Sequence, residues 1–239
     1  MRFDCVSRTH VGLRRQCNED SVLADPERGL WAVADGMGGH DAGEIASNMV
    51  TDALRCLPPA ADADALTASA VDALRRVNRE LIDLAGADGR DPQRTIGTTV
   101  VGLVVADGSF RCFWAGDSRA YHLRGGQISR VTRDHSLVQN LVDAGMLSPQ
   151  EAESHEDANL ITRAVGAADT IEVDVVSGDV APGDQFLLAS DGLTRVVPDS
   201  ELAEELGRGS ADEAADKLIE TVLERGAPDN VSLVIARVL

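Results

Sequence analysis

Five short clusters in the 239-residue chain set a carboxylate beside glycine or asparagine: Asn18-Glu19-Asp20, Asp35-Gly36, Gly116-Asp117, Asp191-Gly192 and Asp229-Asn230. A carboxylate at a strand end is rigidly aimed, and a neighbouring glycine lets an ion approach the backbone carbonyl. Several such ends converging would make an all-oxygen cage for a hard divalent cation. Asp-Gly is also ordinary turn chemistry, which is explanation enough at Asp107-Gly108, Asp88-Gly89 and Gly183-Asp184. The tripeptides Ala34-Asp35-Gly36 and Ala106-Asp107-Gly108 show the contrast. The second lies between two strand patterns. The first ends the apolar run 30–34 and continues through Met37-Gly38-Gly39-His40 into a helical pattern, a strand-to-helix loop suited to a metal or a phosphate as well as to a plain turn.

These ends need strands and helices to hold them. Ala42, Ile45, Ala46, Met49, Val50, Ala53, Leu54 and Leu57 recur at i, i+3, i+4, i+7, which predicts a helix with one buried face. Leu66, Ala70, Leu74, Val77, Leu81 and Leu84 form the stripe of a second helix, set apart by Pro58-Pro59 and ended by a loop at 86–92. Beyond it the pattern changes. Residues 98–106 and 110–115 are β-branched and aromatic runs joined by Asp107-Gly108, and 121–123 and 127–131 form another hairpin across Arg124-Gly125-Gly126.

Ser148-Pro149-Gln150-Glu151 puts an N-cap, a first-turn proline and a capping-box glutamate in register, and Ser210-Ala211-Asp212-Glu213 repeats the box before another apolar stripe. Residues 186–189 and 231–238 read as buried strands. Helices grouped between sets of antiparallel strands favour an α+β layered fold over a doubly wound α/β one. No internal repeat or linker is visible, so residues 1–239 read as a single domain, with the polar stretch 133–165 a surface excursion on it.

With 44% hydrophobic and 26% charged residues the composition is that of a soluble globular protein. The formal net charge of −18 argues against nucleic acid as a partner. The longest apolar run, 96–106, is too short for a bilayer, and 1–16 lacks a signal-peptide core, so no membrane partner and a cytoplasmic location are expected. Cys5, Cys17, Cys56 and Cys112 contain no C-x-x-C pair and read as buried, reduced thiols.

Taken in order, the clusters resemble the metal-dependent protein phosphatases, the type 2C Ser/Thr phosphatases, in their bacterial form. The resemblance rests on Arg15-Gln16-Cys17-Asn18-Glu19-Asp20-Ser21, Asp35-Gly36-Met37-Gly38-Gly39-His40 with Ala42-Gly43-Glu44, Gly97-Thr98-Thr99, Gly116-Asp117-Ser118-Arg119, Ser190-Asp191-Gly192-Leu193 and Pro228-Asp229-Asn230-Val231. It covers essentially the whole chain. It implies a central sandwich of two antiparallel β-sheets flanked by helix pairs, in α-β-β-α layers.

The resemblance also implies roles. Asp35 matches the carboxylate that bridges two Mn²⁺ or Mg²⁺ ions, Asp191 and Asp229 the other ligands of the first ion, and the carbonyl of Gly36 a ligand of the second. Glu19 and Asp20 match acids that hold metal-bound waters, Asp117 with Asp191 a weaker third-ion site, and Arg15 the phosphate-binding arginine. His40 lies where a general acid is implied, although Met37, Gly38 and Gly39 separate it from Asp35-Gly36 and a structural role is the other reading. His10, His122, His135 and His155 read as surface or turn residues. Arg195 stands where many relatives carry an acidic residue, a departure expected to touch no ligand. Residues 133–165 match the family's flap over the metal site.

The implied activity is hydrolysis of phosphoserine and phosphothreonine in proteins by water or hydroxide shared between two ions, in bacterial signalling opposite a cognate Ser/Thr kinase, by a chain acting as a monomer. The chemistry suits the residues. Two cations sharing a carboxylate make hydroxide available near neutral pH, and Arg15 can hold two phosphate oxygens at once, so no cysteine or serine nucleophile is required. The overall charge is unfavourable for an anionic substrate, so attraction must be local, from the metals, Arg15 and perforce any of Arg119, Arg124, Arg130 and Arg133 that are not simply a solvated hairpin face.

Three other readings are weaker. An inactive partner-binding module of the same fold would have lost a ligand, and none is lost. A calcium-binding structural domain would need a contiguous D-x-[DN]-x-[DN]-G loop, which is absent. An aspartyl-nucleophile enzyme would need Asp-x-Asp after the first strand, whereas Asp62-Ala63-Asp64 falls between two helices.

Overall fold

Strand β3 (Leu30–Met37) shows how the layers are built. Leu30, Ala32 and Ala34 pack towards helices, while Trp31 and Val33 face the second sheet. A strand covered on both faces reads as a continuous apolar run rather than an alternating one, and β5 (Val100–Ala106) is of the same kind. A computed structural model of the chain describes residues 1–38, 42–87, 95–153 and 155–239. His40 and the Asp88-Gly89 turn lie outside the described residues.

Around β3 runs a six-stranded antiparallel sheet, in the order β2 (Asp20–Asp25), β3, β5, β6 (Ser109–Ala115), β9 (Asp174–Asp179), with the short β4 (Gly97–Thr98) paired to the end of β3. The facing sheet has five strands in the order β1 (Phe3–His10), β11 (Val231–Val238), β10 (Gln185–Ala189), β7 (Arg119–Arg124), β8 (Gln127–Arg130). Both expected hairpins are present. Asp107 and Gly108 take φ of 51° and 75°, and Gly125 and Gly126 58° and 80°, the left-handed pair that a two-residue turn matched to strand twist requires.

Three apolar cores follow. The two sheets share one, built from Trp31, Leu103, Trp114, Phe186, Leu188 and Val234 among others. Helices α1 (Ala42–Arg55) and α2 (Ala63–Ala87) cover the outer face of the larger sheet through Val50, Leu54, Leu74 and Leu81. Helices α5 (Asp191–Thr194), α6 (Asp199–Leu206) and α7 (Ala211–Glu224) cover the smaller one through Leu193, Leu202 and Leu218. The α-β-β-α sandwich is therefore the observed fold. The Ser210–Glu213 capping box starts α7 as expected. Short helices α3 (Leu137–Asp143) and α4 (Pro149–Glu153) lie in the stretch between β8 and β9, with Ser148 and Glu151 bonded to each other at the start of α4. No helix among the described residues is long and apolar enough to cross a membrane.

The cysteines depart from expectation. Cys112, on the inward face of β6, is buried, Cys5 is half-buried, and Cys17 and Cys56 are exposed. Cys17 lies on the loop between β1 and β2 and Cys56 just past the end of α1, places that no core covers.

Candidate metal centre

The carboxylates singled out in the sequence come together because strands from both sheets end at one side of the sandwich. Asp20 opens β2 directly opposite Asp35 on β3. In the other sheet β10 runs out at Ala189 into Ser190 and the one-turn α5, whose first residue is Asp191, while Asp229 lies two residues before β11. Asp117 lies in the connection from β6 to β7.

A serine joins the sheets. Ser190 Oγ donates to Asp20 Oδ2 at 2.9 Å and accepts from the Ser232 N–H at 2.9 Å. Gly97-Thr98-Thr99 fixes Asp35: the Thr99 N–H and the Thr98 hydroxyl donate to the Asp35 carbonyl at 2.8 and 2.9 Å, and the Asp35 N–H donates to Thr99 Oγ1 at 3.2 Å. Thr99 Oγ1 also meets Ser118 Oγ at 2.7 Å, beside Asp117.

Gly36 has no room for a side chain. A Cβ there would lie 2.1 Å from the Gly43 carbonyl oxygen and 2.6 Å from that of Glu19, so only glycine lets the end of β3, the Glu19 loop and the first turn of α1 meet backbone to backbone. The Asn230 amide closes the arrangement. Its oxygen accepts from the Glu19 N–H at 2.9 Å, and its nitrogen donates to the carbonyls of Val11 and Cys17 at 2.9 and 3.0 Å.

This end of the molecule is short of donors. Burial, reinforced by Asp20, Asp191, Asp117 and Asp229, holds the Asp35 carboxyl well above the usual range. Burial pushes Asp20 up to about 6, against side-chain hydrogen bonds from Ser232 and Ser190 that favour its charged form. Asp117, only 5% exposed, is pushed up to about 7 by burial and then by Asp191, with Arg195 opposing. Asp191 is likewise raised by burial, Arg195 opposing and Asp229 and Asp20 adding. Asp20 Oδ1 is buried with no hydrogen-bond partner among the described residues. Clustered acids of this kind either keep their protons or are neutralised by a cation.

The acids do not stand as a finished cage. Among the described residues no three His, Cys, Asp or Glu side chains are disposed to hold one ion, and two arginines pair with the carboxylates. Arg15, exposed at the rim, pairs with Asp229 at 2.8 Å. Arg195 pairs with Asp191 at 2.8 Å and with Asp117 at 3.1 Å. The expectation that Arg195 touches no ligand candidate is thus overturned: it is placed four residues after Asp191 across one helical turn, which brings its guanidinium onto both acids.

Other basic residues are committed elsewhere. Arg119 and Arg130 both hold Asp134, Arg124 holds Asp184, and Arg133 holds Asp143. Two of the histidines expected at the surface or in turns are half-buried. His122 stacks on Phe186 with ring centroids 4.6 Å apart, and His135 stacks on Trp114 while its Nδ1 accepts from the Gly116 N–H at 3.1 Å. Ser190, Ser232, Thr99 and Asn230 emerge as the residues that hold the acids. Ser190, Thr99 and Asn230 sit within the quoted motifs and Ser232 directly after the last one, but their types alone do not reveal which backbone atoms they reach.

Proteins of similar sequence and fold identify the family. The family model described as Protein phosphatase 2C matches residues 8–237. Serine/threonine protein phosphatase PstP of Mycobacterium tuberculosis (strain H37Rv) is 39% identical over 234 residues, which are 98% of this chain and 45% of that protein, so the chain spans about half the length of this relative. The solved structure of PppA, a key regulatory component of T6SS in Pseudomonas aeruginosa, is 40% identical with a TM-score of 0.92, covering 100% of this chain and 99% of that one. The catalytic domain of PstP in complex with two manganese ions is 37% identical with a TM-score of 0.86, covering 98% of this chain and 97% of that one. The chain belongs to the protein phosphatase 2C family.

Proposed function

We propose that this chain is a metal-dependent protein serine/threonine phosphatase that uses Mn²⁺ or Mg²⁺. The observation that carries the reading is the crowding of Asp20, Asp35, Asp117 and Asp191, with one buried Asp20 oxygen left unpartnered, at the end of a sandwich shared with a two-manganese relative. The donor set is all oxygen, the preference of hard divalent ions, so the residues fit such a group. Asp35, Asp191, Asp229 and the Gly36 carbonyl would hold two ions, with Glu19 and Asp20 behind them as acceptors for ordered water. Asp117 with Asp191 would hold a third ion more weakly.

Two divalent ions supply water acidified to near neutral pH and polarisation of a phosphoryl oxygen. The chain's own residues supply the rest. Arg15 is exposed and held only at its tip by Asp229, so its guanidinium can turn to a phosphate ester and clamp two oxygens. Asn230 and Ser190 keep Glu19 and Asp20 in place whatever fills the centre. His40 is assigned the proton for the departing seryl or threonyl oxygen, since an alkoxide leaves poorly without one. Substrates are proteins carrying phosphoserine or phosphothreonine from a cognate Ser/Thr kinase, in cytoplasmic signalling. Residues 1–239 act as one catalytic domain and a monomer, with 133–165 as a flap.

The test is hydrolysis of a phosphothreonine peptide by EDTA-stripped protein. It should be inactive until Mn²⁺ or Mg²⁺ is returned; full activity after stripping rejects the reading.

A further inference from the structure

Arg195 joins three parts of the molecule that are distant in sequence. Its Nε lies 2.8 Å from Asp191 Oδ2, its Nη2 lies 3.1 Å from Asp117 Oδ2, and the same Nη2 donates to the Ala158 carbonyl at 3.0 Å. Asp191 opens α5, Asp117 lies between β6 and β7, and Ala158 lies late in 133–165, between α4 and β9. The base of that segment is pinned by the pairings of Ser136 with Ile161 and Thr98 with Val165. Farther out, Ala158 is where Arg195 takes hold.

A guanidinium laid across two carboxylates is itself a cation in a cation's place. It balances half of their combined charge and uses up one oxygen of each, Asp191 Oδ2 and Asp117 Oδ2. A divalent ion entering between those carboxylates needs the same oxygens and is repelled by the same positive charge. Arg195 can yield, because its side chain is 32% exposed and reaches solvent without disturbing the core. Yielding has a cost beyond the site, since the bond to Ala158 goes with it.

We propose that Arg195 is a positioning residue that serves as a resident cation of the Asp117–Asp191 pair, displaced when a divalent ion enters there, so that filling this position releases Ala158 and the segment around it. The inference rests on the proposed weak-ion role of Asp117 and Asp191. It turns that position into an exchange between an internal and an external cation, coupled to the segment that overhangs the site.

Two readouts test it. Mn²⁺ binding is titrated by electron paramagnetic resonance in the wild type, Arg195→Ala and Arg195→Lys, and hydrogen exchange of 155–163 is measured on the metal-free proteins. Arg195→Ala should tighten the weakest class of Mn²⁺ roughly tenfold or more, because a charge-assisted competitor has been removed, and should speed exchange in 155–163 without added metal. Arg195→Lys keeps the charge but not the two-pronged fork. It should leave weak-class affinity close to wild type while still loosening 155–163. Unchanged or weaker weak-class binding in Arg195→Ala overturns the competition, and unchanged exchange in 155–163 overturns the coupling. If no weak class is found in any variant while two tight ions bind, the weak-ion reading fails instead, and faster exchange in metal-free Arg195→Ala still upholds Arg195 as the cation that holds this segment.

Discussion

Strand β10 has an aspartate near each end, and the two live in opposite worlds. At its start Asp184 is 1% exposed, yet Arg124, the Ala181 N–H at 2.8 Å and His122 at 3.2 Å outweigh the effect of burial and keep its carboxyl below the usual range. Just past its far end Asp191 is held above that range, among acids with too few donors. A carboxylate given its donors is part of the framework. Carboxylates gathered without them cost stability, and a fold keeps such a cluster where it has a use for it.

The strongest way to sharpen the contrast is to remove one acid from each end. Asp191→Ala or Asp35→Ala should lower phosphopeptide turnover by about a thousandfold or more, the several kcal/mol that metal-ion catalysis supplies, while the metal-free protein stays at least as stable as the wild type. A variant that unfolds instead would make these acids structural. Asp184→Ala should do the reverse, costing about 2–3 kcal/mol in urea denaturation because the partners of a buried charged group are stranded, while the folded fraction keeps its turnover.

Metal should act on one end only. Mn²⁺ at a hundred times its dissociation constant should stabilise the wild type by about 2.7 kcal/mol, and in calorimetry that gain should vanish in Asp35→Ala but persist in Asp184→Ala. Equal gains in both would place the ions elsewhere.

The subtlest difference is in pH. Asp20 and Asp117, raised to about 6 and about 7, bind more protons folded than unfolded from about pH 4 upward. The metal-free protein should therefore lose stability as pH rises from about 4 to 7, and Asp117→Asn should flatten that slope. Asp184 has the opposite sign: its depressed pKa gives stability that is complete above about pH 4 and is lost as pH falls through its folded value. Melting temperatures of stripped protein across this range that rise steadily with pH would contradict the assignment.

Much of this is legible in the amino-acid sequence. The two hairpins announced themselves through Asp107-Gly108 and Gly125-Gly126, α7 through its capping box, and the acidic ends through the motif order, because each is a local signal. Strands β1 and β9 carry no such signal. β1 is only partly buried along its length, and β9 lies at a sheet edge with Val175 and Val176 exposed, so neither shows the continuous apolar pattern of β3. The grip of Arg195 was out of reach for a different reason. Asp191 is one helical turn away, but Asp117 and Ala158 come from distant connections, and only the assembled sandwich brings them within reach of the guanidinium.

The position of β11 has a consequence for how such a molecule is made. It is the latest strand in the chain, yet it lies between β1, the earliest, and β10, and the Asn230 just before it ties down the loop that carries Glu19. A chain emerging from the ribosome therefore presents β1 and most of its acids long before the strand that completes them exists. Contacts of such sequence separation close slowly. Until they close, two unpaired strand edges are available to other chains, and the acids of the two sheets have nothing to bring them together. The centre cannot be complete before β11 joins the sheet, so a nascent or truncated chain that lacks this strand cannot gather these acids.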